Sequence, residues 1–223
     1  MAANPSEWLD RLTAPGVTRV LMAFDRLDLV PDPEETVPDR VAAAFAGGGS
    51  AWSMYTVTPD GGALQWRADW RAAFPNDPDR RIWAARYHGR AAAFPPAGTG
   101  VADAAEDLHE ACEAIRAFAE EHCYEKVASI FTSALCLLDG QPDPILLDRP
   151  PGPADTLSEG ARRLLFASQR SWIFDRLSLW KDQDFSHTLW RRYAGLSETL
   201  YDAVTAGIKA AVNASMPEGR ASL

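Results

Sequence analysis

The chain has 223 residues, of which 47% are hydrophobic and 24% are charged, and its formal net charge is −9. This composition is that of a globular protein with one domain or two small ones, which excludes wholesale disorder, collagen-like repeats and a disulfide-dense scaffold. No apolar run approaches the roughly 20 residues that a membrane span requires. The three cysteines form no CxxC pair, and the N-terminus shows no basic and then apolar leader. We therefore expect a cytoplasmic protein without membrane association.

The N-terminal residues predict helices separated by turns. Asn4 and Pro5 are suited to the cap and the first position of a helix that ends before Pro15. Apolar residues at helical spacing predict a second helix over Val17–Leu29, and a third, short helix is expected over Asp39–Ala46. This part of the chain is therefore expected to be helical.

The middle of the chain has the pattern of a small antiparallel β element. Residues 51–58 are rich in β-branched and aromatic side chains, and the turn signal at 59–62 predicts that Ala63–Trp66 returns as a partner strand. Residues 82–88 alternate as a further strand, whereas residues 66–74 fit a strand and a helical turn equally well.

Four helices are predicted in the remainder of the chain. Leu108, Cys112 and Ile115 form the buried stripe of the first, and the second is apolar nearly all round, as a central core helix would be. Thr156 and Glu159 form a capping box at the start of the third. The approximate ranges of the four helices are 101–122, 125–138, 156–180 and 185–213.

The fold class that follows is mainly α (α+β), a helical bundle with a small antiparallel β element near residues 51–94. Residues 1–100 would hold the N-terminal helices and the β element, and residues 101–223 would hold the bundle. The same pattern is compatible with one continuous domain.

Acidic charge is concentrated in one segment. Residues 101–155 hold 12 acidic and 3 basic side chains, and this difference equals the net charge of the whole chain. Seven of these carboxylates fall on the first predicted helix of the bundle, namely Asp103, Glu106, Asp107, Glu110, Glu113, Glu120 and Glu121. An exposed acidic helix face speeds and orients docking to a basic partner.

No complete catalytic motif accompanies this acidic helix, because the sequence contains neither a Gly-x-Ser-x-Gly elbow nor a phosphate-binding P-loop. The sequence therefore favours a non-catalytic cytosolic binding protein, immunity-like or chaperone-like. Such a protein would engage a basic protein partner through the acidic helix face and would need no cofactor.

The alternative is a metal-dependent, all-helical enzyme. Glu106, His109 and Glu113 lie on one flank of the predicted helix, and Glu-x-x-His is similar to the spacing with which ferritin-like bundle proteins present metal ligands. Asp184 and His187 repeat that spacing near the start of the last helix. In this alternative the five residues would bind iron, manganese or zinc.

A third hypothesis concerns residues 66–94, where arginines and aromatic residues interleave. Aromatic side chains that stack on bases and arginines that hold phosphates would bind nucleic acid. In the competing interpretation the aromatic side chains enter the core, while the arginines face solvent or the acidic segment. The net charge of −9 repels phosphates, so the sequence argues against nucleic acid. The interleaved residues are Arg67, Arg71, Arg80, Arg81, Arg86 and Arg90 with Trp66, Trp70, Phe74, Trp83 and Tyr87.

Overall fold

The structure is a computed structural model that describes residues 5–13, 16–25, 38–43, 51–78, 82–95, 98–141, 157–174 and 186–214. Its helices are α1 (Pro5–Thr13), α2 (Asp39–Ala42), α3 (Val101–Glu121), α4 (Glu125–Leu138), α5 (Glu159–Arg170) and α6 (His187–Asn213). Its strands are β1 (Arg19–Asp25), β2 (Ala51–Val57), β3 (Ala63–Ala72) and β4 (Trp83–Ala91). These elements form two compact units, one built from α1 and the strands and one built from α2 to α6.

The predicted fold class is wrong. The four strands form a single antiparallel sheet in the order β1-β2-β3-β4, so the protein is a mixed α+β protein and not a helical bundle with a small β element. The predicted division into residues 1–100 and 101–223 stays a prediction. In the described part of the chain, no helix combines the length and the apolar character of a membrane span.

The main error lies at β1. The sequence predicts a helix over Val17–Leu29, yet Arg19–Asp25 pairs along its whole length with Ala51–Val57. An apolar run this short satisfies helical and strand spacing alike, so periodicity alone does not distinguish the two. Pairing with β2 decides the outcome, and it buries Leu21, which is 7% exposed.

The β hairpin that follows is longer than predicted. β3 continues past Trp66 to Ala72, because its ladder with β4 extends to the pair formed by Ala72 and Trp83. The helical turn considered for residues 66–74 is therefore wrong, while the strands predicted at 51–58 and 82–88 are confirmed.

The turn between β2 and β3 follows the predicted signal. Gly61 has a φ of +81°, a left-handed conformation that favours glycine. The side chain of Asp60 accepts hydrogen bonds from the Thr58 hydroxyl and, at 3.3 Å, from the Gly62 amide. These hydrogen bonds, the one from Thr58 first, hold the pKa of the Asp60 carboxyl below its ordinary value.

The helices of the second unit agree with the sequence in place and largely in length. α4 has the predicted bounds, and α6 begins after Ser186, whose hydroxyl accepts a hydrogen bond from the Leu189 amide at 3.4 Å. α5 is shorter than predicted, since it begins after Ser158 and ends at Arg170 and not near Trp180. Residues 44–46 of the third predicted helix and the predicted cap at 156 lie outside the described residues.

The core of this unit is the buried stripe of α3 against α4, α5 and α6. Leu108, Cys112 and Ile115 are completely buried, as their spacing predicts. Burial of a leucine or isoleucine side chain contributes about 1.5–3 kcal/mol, so this stripe fixes the rotation of α3 about its axis. The rotation in turn decides which side chains of α3 face solvent.

Candidate functional site

All seven predicted acidic residues of α3 are exposed to solvent. Six of them lie on the side of the helix opposite Leu108, Cys112 and Ile115, and Asp107 lies on the flank between the two sides, because successive helical residues are about 100° apart. Ala114 and Ala117 are also exposed on this side of the helix. The result is an acidic helix face in which small alanines separate two groups of carboxylates.

The C-terminal group is paired within the protein. Arg116 donates a hydrogen bond to Glu120 at 3.1 Å, and Arg192 of α6 donates one to Glu121 at 2.7 Å. Both pairs are exposed, so each contributes well below 1 kcal/mol to stability, but their positive charges offset the two carboxylates. The end of the face near Glu121 therefore presents little net charge.

The N-terminal group is different. Asp103, Glu106, Asp107 and Glu110 form no ion pair and no side-chain hydrogen bond with any residue that the structure describes. We call these four residues the open acidic set. No described residue offsets their charges, so the open acidic set makes this surface strongly negative.

The helix dipole stabilises only one carboxylate of the open acidic set. Asp103 is in the first turn of α3, where the positive end of the helix dipole stabilises a carboxylate by about 0.3–1 kcal/mol. This effect falls off within the first turn, so it does not reach Glu106 and Glu110. Neither side chain forms an ion pair or a hydrogen bond with a described residue, which makes both of them candidates for binding.

A groove of about 430 Å³ runs beside the open acidic set. His109 lies in it, with Nδ1 3.8 Å from Glu113 Oε2 and Nε2 3.6 Å from Asp139 Oδ1. Glu106 and Glu110 also line the groove. The histidine is therefore surrounded by carboxylates, and any cation that enters the groove meets several of them.

Asp139 is the residue of this site that the sequence analysis missed. It follows α4, thirty positions beyond His109, and no motif connects the two. The short connection between α3 and α4 contains the signal, because two antiparallel helices joined by three residues bring positions equally far from the connection close together. Counting outward from Cys123 places Asp139 near the level of His109.

The predicted metal ligands are not assembled into one group. Glu106, His109 and Glu113 share a flank of α3, whereas His187 is exposed at the start of α6 and Asp184 lies outside the described residues. Among the residues that the structure describes, no group of three or more His, Cys, Asp or Glu side chains is placed to hold a metal ion. The metal-dependent enzyme, with iron, manganese or zinc, stays a prediction that elemental analysis tests.

The sheet separates the arginines from the aromatic residues that the sequence interleaves. Arg67, Arg71, Arg86 and Arg90 lie on one face of β3 and β4, since neighbouring strand residues point to opposite faces. The other face carries Trp66, Trp70, Trp83 and Tyr87. Trp8 of α1 stacks on one of these aromatics, Tyr87. Base stacking and phosphate contacts would thus come from opposite faces. Arg80 and Arg81 lie outside the described residues.

The aromatic side chains do not all enter a core. Trp70 is 55% exposed and Trp83 is 47% exposed, whereas Trp66 is half-buried and its Nε1 donates a hydrogen bond to Thr56 at 2.9 Å. The interpretation that the aromatic side chains enter the core is therefore wrong for Trp70, Phe74, Trp83 and Tyr87, and Trp66 is only partly buried.

Comparison of the chain with known protein families, with curated proteins and with solved structures finds no match. Its function has to be inferred from its own residues.

Proposed function

We propose that this protein is a non-catalytic, cytosolic binding protein, immunity-like or chaperone-like, that engages a basic protein partner through the acidic face of α3. The observation that supports this proposal is the open acidic set, whose four carboxylates have no counter-charge among the described residues. A basic partner would supply the counter-charges.

The geometry of the face suits a protein partner. The open acidic set spans about 10 Å from Asp103 to Glu110 at 1.5 Å per residue, which is two turns of a helix. This helix is held in place by its buried stripe, so its backbone loses little freedom on binding. The exposed Ala114 and Ala117 let a partner approach the helix closely beyond the carboxylates.

Charge complementarity of this kind acts mainly on the association rate and on the choice of partner. At physiological ionic strength the Debye length is about 8 Å, so a basic surface is attracted to the carboxylates only at short range. Binding should therefore weaken when the salt concentration rises.

The test is capture of partners by the immobilised full-length chain, followed by mass spectrometry. The variant Glu106→Lys/Glu110→Lys reverses two charges of the open acidic set and should reduce capture of basic proteins at least tenfold. The control Glu125→Lys/Glu159→Lys changes the net charge equally at exposed positions outside the face, and it should retain capture. Equal capture by the face variant and the wild type, with unchanged circular dichroism, would overturn the proposal.

A further inference from the structure

Four arginines form a row on one face of the β3–β4 hairpin. In the register of the two strands, Arg90 of β4 lies opposite Gln65, and Arg86 of β4 lies opposite Asp69. On β3, Arg67 lies between Gln65 and Asp69 on the same face, and Arg71 follows two residues after Asp69. The order along the row is therefore Arg90, Arg67, Arg86, Arg71, and it alternates between the strands. Each arginine is the diagonal neighbour of the next, at about 7–8 Å between Cα atoms.

This arginine row is a strongly basic surface. All four arginines are exposed, and Asp69 is the one carboxylate that β3 and β4 contribute to the same face. Arg71 and Arg86 form no ion pair with any described residue. The row spans about 20 Å, which is six residues at about 3.3 Å each. An anionic partner of similar length would fit it.

The open acidic set on α3 has the complementary chemistry. It presents four carboxylates on a rigid helix, and the helix face continues to Glu113, about 15 Å from Asp103. Guanidinium groups bind carboxylates in two-point hydrogen-bonded pairs, and arginine is the cation best suited to them. The chain thus carries two exposed surfaces of opposite charge.

We propose that the arginine row binds the open acidic set of a second copy of this chain. The proposal rests on the proposed function, because it names one basic partner of the acidic face. The contact is heterologous, since each copy uses a different surface, so copies can add head to tail. A nucleic acid is the other polyanion that would fit, but the aromatic residues that would stack on its bases lie on the opposite face of the hairpin.

Self-association of this kind has a definite dependence on salt. Exposed ion pairs are individually weak and are screened, because the Debye length falls from about 10 Å at 0.1 M salt to about 3 Å at 1 M. In sedimentation velocity of the full chain, the average mass should rise above 24.4 kDa with protein concentration at low salt. It should return to the monomer value at about 1 M salt.

A charge swap identifies the two surfaces. The helix variant Glu106→Lys/Glu110→Lys and the sheet variant Arg71→Glu/Arg86→Glu should each stay monomeric alone, since the two reversed charges cancel the two that remain on the altered surface. An equimolar mixture should associate again, because the helix variant keeps its arginine row intact and the sheet variant keeps its open acidic set intact. Should Arg71→Glu/Arg86→Glu fail to fold, Arg71→Gln/Arg86→Gln removes the same charges and should also be monomeric.

Each result decides the proposal. A wild type that stays at 24.4 kDa at low salt and high concentration would overturn it, and so would a mixture that fails to associate. Binding of a single-stranded oligonucleotide that needs Arg71 and Arg86, without self-association, would assign the row to nucleic acid instead. The wild type could instead be monomeric and capture a basic protein that Glu106→Lys/Glu110→Lys does not capture. In that case the partner is not a second copy of this chain, but the proposed function holds.

Discussion

Arg90 donates two hydrogen bonds to Oε1 of Gln65, from Nε at 2.9 Å and from Nη2 at 2.7 Å. Gln65 is only 3% exposed, and its amide donates to the hydroxyl of Ser53 at 3.3 Å. An exposed guanidinium of β4 thus satisfies a buried carbonyl of β3, which is itself linked to β2. Leaving such a carbonyl without a donor costs about 1–3 kcal/mol.

We therefore expect Arg90→Ala to lower the free energy of unfolding by about 1–2 kcal/mol. Arg86→Ala is the matched control, because Arg86 is exposed on the same strand and face but has no side-chain partner among the described residues. Its effect should stay within about 0.5 kcal/mol. Urea unfolding measures both, and an equal loss in the two variants would contradict a specific role for the pair.

A second prediction concerns the crossing of α5 and α6. A Cβ added to Gly207 would lie 2.5 Å from Oγ of Ser168 and 3.1 Å from Cδ1 of Leu164, so the two helices approach as closely as they do because position 207 has no side chain. Gly207→Ala should lower the free energy of unfolding by about 1–3 kcal/mol through overpacking.

Gly195 on the same helix provides the control, since nothing lies within 4 Å of an added Cβ there. Gly195→Ala should raise the free energy of unfolding by about 0.5–1 kcal/mol, because alanine is the better helix former. Thermal and urea unfolding of the two variants should thus shift in opposite directions. If the unfolding transitions of both variants shift in the same direction, the crossing of α5 and α6 relaxes around the added methyl group without loss of stability.

A third prediction follows from the buried thiol of Cys112. Burial raises its pKa to about 11, from an ordinary value of 9.0, and a contact of 3.2 Å with the Ser171 hydroxyl opposes this only in part. The folded state therefore favours the protonated thiol. Its contribution to stability is complete below about pH 9 and is lost as the pH rises to about 11.

Between these pH values the wild type should lose up to about 3 kcal/mol of unfolding free energy through this group. Cys112→Ala should remove that part of the pH dependence, whatever its effect on stability at neutral pH. Cys123→Ala is the matched control, because it removes a thiol at an exposed position. Equal slopes in all three proteins, measured by urea unfolding from pH 8 to pH 11, would show that Cys112 ionises freely.

The helices of the second unit were predictable because their signals are local. α4 has the predicted bounds Glu125–Leu138, and Gly140 follows it with a φ of +74°, the left-handed conformation in which helices commonly end. β1 was not predictable in this way. Its conformation depends on pairing with β2, and nothing within Val17–Leu29 indicates that partner.

The candidate site also has a part that local sequence signals predict and a part that depends on tertiary packing. Exposure of Asp103 and Glu110 follows from helical arithmetic once the buried stripe of α3 is known. Helical arithmetic does not show which carboxylates have a counter-charge, because the counter-charge of Glu121 comes from Arg192, 71 positions away on another helix. The approach of Asp139 to His109 likewise depends on how two helices pack.

The position of β4 at the end of the strand order has one more consequence. Within the described residues it pairs on one side only, so its other side presents backbone groups that could join the sheet of another molecule and start aggregation. Arg86 and Arg90 keep this strand charged, and charged side chains are a common protection of such edges. Replacing them by apolar residues should make the protein prone to precipitate, whereas glutamate preserves the protection and is the better substitution in any solution experiment.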